Sequence, residues 1–273
     1  MKVCATCAVE RAEPLPERCP ICADERQYVP ASGQVWLSLT EVSSAHAIRL
    51  QELEPNLVGV RTVPDAGIGQ TALVAMTSDG GLLWDPPGSI DDPAVEAVAR
   101  LGPIRAIAAS HPHMSGVQVE WSRALGGVPI LVNEADREWL GRTDPAIEFW
   151  RERIDIVPEI TIYRIGGHFP GSAVALWRSG AEGHGVLLAG DTIAPNPDRR
   201  TIAFMWSYPN RIPLSGGVAE RIADQLEPLE FDRVYGNFGN DIPSEAKQAL
   251  RFSARRHADW ANGRFDHRTK AGA

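Results

Sequence analysis

The sequence has no apolar run approaching the roughly 20 residues that a membrane-spanning helix needs. No membrane partner is therefore expected. It also lacks the apolar core of an export signal, because Cys4, Cys7, Glu10 and Arg11 arrive too early. A cytoplasmic location is the expectation. Basic excess is missing as well. The net charge is −8, and nucleic-acid binding rests largely on Lys and Arg neutralising phosphates. No nucleic-acid partner is expected, although Arg199-Arg200 is a local basic pair suited to an anionic small molecule. There is no internal repeat and no low-complexity tract. Cysteine is absent after residue 22. What remains is a chain of 273 residues, 44% hydrophobic, able to bury the core of one large domain, or of one large and one small.

The four cysteines read Cys4-Ala5-Thr6-Cys7 and Cys19-Pro20-Ile21-Cys22, two C-x2-C knuckles with eleven residues between them. Four thiolates from two such turns suit a tetrahedral metal site. A disulfide pair is the weaker reading, since no export signal accompanies it. The segment Val3 to Val29 resembles the small rubredoxin-like or zinc-ribbon modules, including the CPxC form of the second knuckle. The resemblance implies Zn²⁺ as a structural staple or Fe as an electron carrier, with zinc preferred. So short a module needs its metal to fold. Its expected extent is residues 1–30, with a boundary at Pro30-Ala31-Ser32-Gly33.

After the boundary, strands and helices alternate. Ser38-Leu39-Thr40-Glu41 has the form of a capping box and predicts a helix to about Leu53. Leu57–Val63 reads as a strand. Thr71–Thr77 and Gly81–Trp84 flank a hairpin turn at Ser78-Asp79-Gly80. Asp91–Leu101 reads as a helix capped by aspartate and ended by Gly102-Pro103. Strand 104–110, helix 117–125 and strand 129–133 predict a βαβ unit. The stretch 134–151 reads as helical, with Trp139 and Trp150 placed to cover a site. Residues 154–165, 172–178 and 185–190 read as three strands. Helices near 216–227 and 244–261 close the chain, with a strand at Arg233–Tyr235 between them.

Four places carry chemistry. His111-Pro112-His113-Met114-Ser115-Gly116 follows the apolar strand ending at Ser110, and Pro112 puts both imidazoles on the loop that leaves it. Gly166-Gly167-His168-Phe169-Pro170-Gly171-Ser172 holds a histidine behind glycines at another strand end. Gly190-Asp191 ends the run Val186-Leu187-Leu188-Ala189, and a carboxylate there is costly unless paired or metal-bound. Leu82-Leu83-Trp84-Asp85 repeats that arrangement.

In this order the motifs resemble the metallo-β-lactamase fold superfamily, over a domain expected at residues 34–262, with 263–273 a flexible tail. The resemblance implies an α/β fold of four layers, αββα, with metals at one edge of the sandwich. It implies that His111, His113 and His168 are ligands of the first metal, that Asp191 is the bridging aspartate, and that Asp85 braces the ligand loops. The chain departs from the family's HxHxDH motif, carrying Ser115 and Gly116 at the last two positions. The family's further histidine near the C-terminus falls at Asn237. One metal, not two, is therefore expected, held by the three histidines and Asp191.

Three neutral imidazoles on Zn²⁺ leave an open position where water loses its proton near neutral pH. Asp191 is then a fourth ligand or a base, and Ser115 a hydrogen-bond donor to the water. These roles imply a hydrolase acting on a small-molecule ester, thioester, lactone or amide. Two histidines and a carboxylate also suit mononuclear non-haem iron, as in the persulfide dioxygenases of this fold, with an iron-loaded ribbon as electron donor. Lost ligands equally suit a metal-binding protein without catalysis. Trp206 and Tyr208, with Asn237, are the expected substrate-binding residues, and Arg199 or Arg200 would meet an acidic group.

Overall fold

The computed structural model describes residues 1–270. Alternation along the strands explains the layering. Leu82 and Trp84 of one central strand turn inward to a core shared by two sheets, while Leu83 between them turns outward onto helices. Leu187 and Leu188 divide in the same way on the opposite sheet. Strands buried on both faces read as continuous apolar runs.

The N-terminal module holds β1 (Lys2–Cys4), β2 (Glu10–Arg11) and the one-turn α1 (Pro20–Ala23). β3 (Trp36–Leu37) completes its sheet in the order β2-β1-β3, so pairing with the module continues past Pro30. α2 (Leu39–Ala45) follows.

The first large sheet contains β4 (Ala47–Glu54), β5 (Leu57–Val63), β6 (Thr71–Thr77), β7 (Gly80–Trp84), β8 (Ile104–Ala108), β9 (Ile130–Asn133) and β10 (Ile147–Trp150), in the order β10-β9-β8-β7-β6-β5-β4. α3 (Asp92–Leu101) and α4 (Gln118–Ala124) cover its outer face through Val98, Val119 and Trp121. The second sheet contains β11 (Arg153–Val157), β12 (Ile160–Arg164), β13 (Ala173–Trp177) and β14 (Val186–Leu188). Four short strands follow: β15 (Ala194–Pro195), β16 (Ile202–Ala203), β17 (Met205–Ser207) and β18 (Ile212–Pro213). The second sheet then ends with β19 (Arg233–Tyr235) and β20 (Asp241–Ile242). α5 (Gly216–Leu226) and α6 (Ala246–Ala261) bury Ile222, Leu226, Leu250 and Ala254 against its outside. The result is the αββα arrangement, with helices on both outer faces.

Three expected elements differ. The capping box forms, with Ser38 Oγ accepting from the Glu41 amide at 3.2 Å and Glu41 accepting from the Ser38 amide at 2.6 Å. The helix nevertheless stops at Ala45 rather than reaching Leu53. From Ala47 the chain is a strand that lays Ile48 and Leu50 on the core and pairs along its length with β5. Sheet pairing there overrides helix propensity. The strand expected at 154–165 is a hairpin, because Pro158-Glu159 turns the chain between β11 and β12. The stretch 134–151 is one 3₁₀ segment, Glu134–Trp139, followed by parallel strand β10. Gly141 and Pro145 interrupt any continuous helix. Of the expected tail, Asp266–Arg268 form a 3₁₀ turn, and 271–273 lie outside the described residues.

Candidate metal centre

The histidine loop starts where β8 ends. Pro112–Met114 form a 3₁₀ turn that projects His111 and His113 inward together. β12 delivers the Gly166-Gly167 loop, whose positive φ angles of +71° and +98° let the chain double back at His168. Potential ligand atoms of His111, His113 and His168 lie within 4.8 Å of one another. The three residues are only 3%, 1% and 1% exposed. Each carries a buried Nε2 with no hydrogen-bond partner. Three orphaned nitrogens facing a common point are costly unless something electrophilic satisfies them.

Other contacts fix the rings. His168 Nδ1 lies 3.1 Å from the Met205 carbonyl, which can only accept, so Nδ1 carries the proton and the Nε2 lone pair faces the centre. His111 Nδ1 meets Ser110 Oγ at 3.0 Å. Burial lowers the proton affinity of all three rings, that of His168 to a pKa of about 4, so they are neutral at pH 7, as metal ligation requires. Asp191 Oδ2 stands 3.6 Å from His111 Nε2 and 3.9 Å from His168 Nε2. Burial pushes this carboxyl up to about 7, a penalty that a nearby dication relieves. The donor set fits one divalent metal.

Asp85 sits behind the ligand loops. It is fully buried, with φ +56°, and its Oδ1 accepts from the Ser110 amide at 2.5 Å. It therefore anchors the backbone entering His111. Gly190 has φ +53°, and a Cβ there would fall 2.1 Å from Ser110 Oγ. Only glycine lets the Asp191 tip pass this close to the His111 support.

The second-metal positions are used otherwise. Ser115 Oγ donates to the Pro112 carbonyl at 2.9 Å and closes the 3₁₀ turn. Gly116 has φ +50°, and a Cβ there would stand 2.3 Å from the Pro86 carbonyl oxygen. No histidine side chain fits without moving backbone. Asn237 is 1% exposed, and its Nδ2 donates to the Thr71 carbonyl at 2.9 Å. It ties the two sheets together. Among the described residues, groups of three or more metal-ligating side chains converge in two places, this one and the cysteine cluster.

Trp206 and Tyr208 flank the centre in different ways. The Tyr208 hydroxyl donates to the Asp191 carbonyl at 3.3 Å, and its ring lies 5.8 Å from that of His168. Trp206 Nε1 donates to Glu25 Oε2 at 3.0 Å, which turns it toward the module. Arg199 pairs with Asp241 at 2.8 Å. Trp150 is buried between the sheets, so it does not cover the site. Trp139 meets Phe169 edge-on at 5.3 Å and lines a cavity behind His111 with Glu10, Gln118 and Arg142.

The four cysteines are free and buried. Cys4 and Cys22 sulfurs are 3.6 Å apart, and those of Cys7 and Cys19 are 3.8 Å apart. Disulfide sulfurs would be about 2.05 Å apart. A tetrahedral site with metal–sulfur bonds of about 2.3 Å has edges of about 3.8 Å. These thiols fit that set. Gln34 Nε2 donates to Cys4 Sγ at 3.1 Å while its Oε1 accepts from the Cys19 amide at 3.0 Å. No motif in the sequence pointed to Gln34.

No protein-family model matches the chain. A relative does: the chain is 38% identical over 270 residues to the uncharacterized protein YmaE of Bacillus subtilis (strain 168), a match covering 97% of this chain and 98% of YmaE. The chain belongs to the YmaE family. Solved structures similar to it include the DIM-1 metallo-β-lactamase, with TM-score 0.59 and 15% identity, covering 78% of this chain and 98% of that one. The mono-zinc form of FIM-1 from Pseudomonas aeruginosa matches at TM-score 0.54 and 14% identity, covering 78% of this chain and 96% of that one. A metallo-β-lactamase from Hirschia baltica matches at 0.52 and 18%, covering 76% and 96%. This YmaE-family chain therefore has the metallo-β-lactamase fold, preceded by a tetracysteine module.

Proposed function

We propose that the protein is a metal-dependent hydrolase with one zinc ion at His111, His113 and His168 and a second, structural zinc in the cysteine module. One observation carries the reading: three buried, neutral imidazoles turn partnerless Nε2 atoms to one point beside the Asp191 carboxylate. When bound there, zinc supplies an electrophile that activates water near neutral pH. The chain's own residues do the rest. The Met205 carbonyl and Ser110 hold the rings in register, and Asp85 holds Ser110. Asp191 is the carboxylate placed to ligate or to take a proton from the attacking water. The substrate class is a small ester, thioester, lactone or amide. Free, buried cysteines support a cytoplasmic setting, and among the described residues no helix is long and apolar enough to cross a membrane.

The test pairs elemental analysis of protein purified without added metal with a lactonase, esterase and thioesterase screen run with and without chelator. The reading expects two zinc ions per chain, one in His111→Ala, and a chelator-sensitive activity that His111→Ala lacks. Two zinc ions retained in His111→Ala, or no metal outside the cysteine module, would sink it.

A second reading rests on a different observation. Asp191 Oδ2 sits beside His111 and His168, an arrangement suited to a two-histidine, one-carboxylate iron site. Iron in the same elemental analysis, with visible absorption from the thiolate module, would favour oxidoreductase chemistry.

A further inference from the structure

Arg26 is an unusual residue to find beside a cation site. It follows Cys22 by four positions and is only 6% exposed. Asp24 grips it, with Oδ1 accepting from Nε at 2.6 Å and Oδ2 from Nη2 at 3.1 Å. The guanidinium lies 3.7 Å from the Phe169 ring centre and 4.2 Å from that of Trp206. Its Nη1 donates to the His168 carbonyl at 3.1 Å. A positive charge here repels a bound dication, so its contribution is mechanical. It pins the backbone of a ligand, and Asp24 offsets its charge.

The same loop is joined to the opposite side of the centre. Ser207 Oγ donates to the Arg26 carbonyl at 3.1 Å. Asn210 Nδ2 donates to the carbonyls of Glu25 and Gln27 at 2.8 and 3.1 Å. This 205–210 segment contains the Met205 carbonyl that receives the His168 ring proton, and the Tyr208 hydroxyl that donates to the Asp191 backbone carbonyl. The module thus holds His168 by its backbone directly and by its ring through a neighbour.

We propose that loading the cysteine module with metal sets the metal affinity of the histidine centre, with Arg26 as the positioning residue that links them. The proposal rests on the reading that His111, His113 and His168 bind metal. A module whose own core is six buried residues, four of them the cysteines, needs its metal to present loop 24–27 to these partners. Without the loop, His168 loses its backbone clamp, and the 205–210 segment that holds its ring loses its ties at Ser207 and Asn210. Because the sites are linked through one conformation, the coupling is reciprocal.

The experiment is chelator competition for zinc on the full chain, reading the number and affinity of sites, with circular dichroism and thermal unfolding as controls. In Arg26→Ala the module keeps its zinc and the histidine-centre affinity falls 10- to 100-fold, the usual effect of losing a residue that orients a ligand. Arg26→Lys, which keeps charge but not the planar fork, falls about tenfold. Cys19→Ser with Cys22→Ser lowers the histidine-centre affinity by a similar factor, and adding Arg26→Ala lowers it no further. A folded Arg26→Ala protein with histidine-centre affinity within twofold of wild type overturns the proposal, as do fully additive losses. If Arg26→Ala does not fold, Arg26→Lys is judged by the same twofold criterion. A wild-type protein that binds no metal at the histidines refutes the functional reading as well; one that binds and ignores Arg26 refutes this proposal alone.

Discussion

Changing Gly116 to histidine, with Ser115 to aspartate, would restore the spelling HxHxDH. The structure implies that a second metal site would not come with it. At φ +50° a non-glycine residue costs on the order of 1–3 kcal/mol. Its Cβ would also stand 2.3 Å from the Pro86 oxygen and 2.5 Å from the Pro87 oxygen. Both are backbone atoms and cannot swing aside, so overpacking adds roughly 1–3 kcal/mol. The Gly116 carbonyl accepts from the Glu10 amide at 3.0 Å, so any shift is passed to the cysteine module. A loss of about 4 kcal/mol is a large part of an ordinary domain's stability. For a chain of this size it lowers the melting temperature by about 10 °C. The assay is thermal unfolding of Gly116→Ala, Gly116→His and the double variant, with zinc counted per chain. Gly116→Ala isolates the backbone cost and should account for most of the loss. The reasoning fails if Gly116→His melts within about 2 °C of the parent, or if the double variant holds an extra equivalent of zinc.

Three further outcomes are expected. Gly190→Ala drives a methyl into Ser110, which supports His111, so zinc counting should show the histidine centre depleted while the cysteine module stays loaded; an undiminished count contradicts the packing. Burial pushes Glu10 up to about 7 despite its pairing with Arg142. A raised carboxyl stabilises below its unfolded value near 4.5 and loses that contribution as pH rises through 7, here about 3 kcal/mol. Denaturant titrations from pH 5 to 8.5 should therefore show a steeper decline in wild type than in Glu10→Gln, and parallel curves would dismiss the idea. Saturating the histidine centre at a thousandfold excess of zinc over its dissociation constant should stabilise the fold by about 4 kcal/mol, read as a shift in denaturation midpoint that His168→Ala abolishes.

The layered body was legible because its signals are local. Apolar runs such as Val186-Leu187-Leu188-Ala189 mark strands buried on both faces, and Asp91 and Gly102 bound a helix that forms where expected. Two of the errors fell where tertiary pairing decides, while the third, the hairpin at Pro158-Glu159, carried a local turn signal. Within 39–53 the short alternation Ile48-Arg49-Leu50-Gln51 is outweighed by the capping box until the strand joins β5, and the 134–151 stretch looks helical until β10 finds β9. Trp150 misled for the same reason, since a side chain's direction depends on which strand its neighbours pair with.

The centre was readable in part because four strands that carry it end at one edge of the sandwich. β7 and β8 are parallel neighbours ending at Asp85 and at the His111 loop. β12 and β14 both run antiparallel to β13, so the two share a direction and end at the His168 loop and at Asp191. A short motif at each strand end therefore implied a common meeting point before any distance was known. Arg26, Glu10 and Gln34 had no such signal. Arg26 reaches a carbonyl 142 residues away and Glu10 an amide 109 residues away. A contact of that span leaves no periodicity or spacing behind. Whatever the small module does for the large domain is written in such contacts, which is why the two cysteine knuckles were visible as a metal site while their grip on His168 was not.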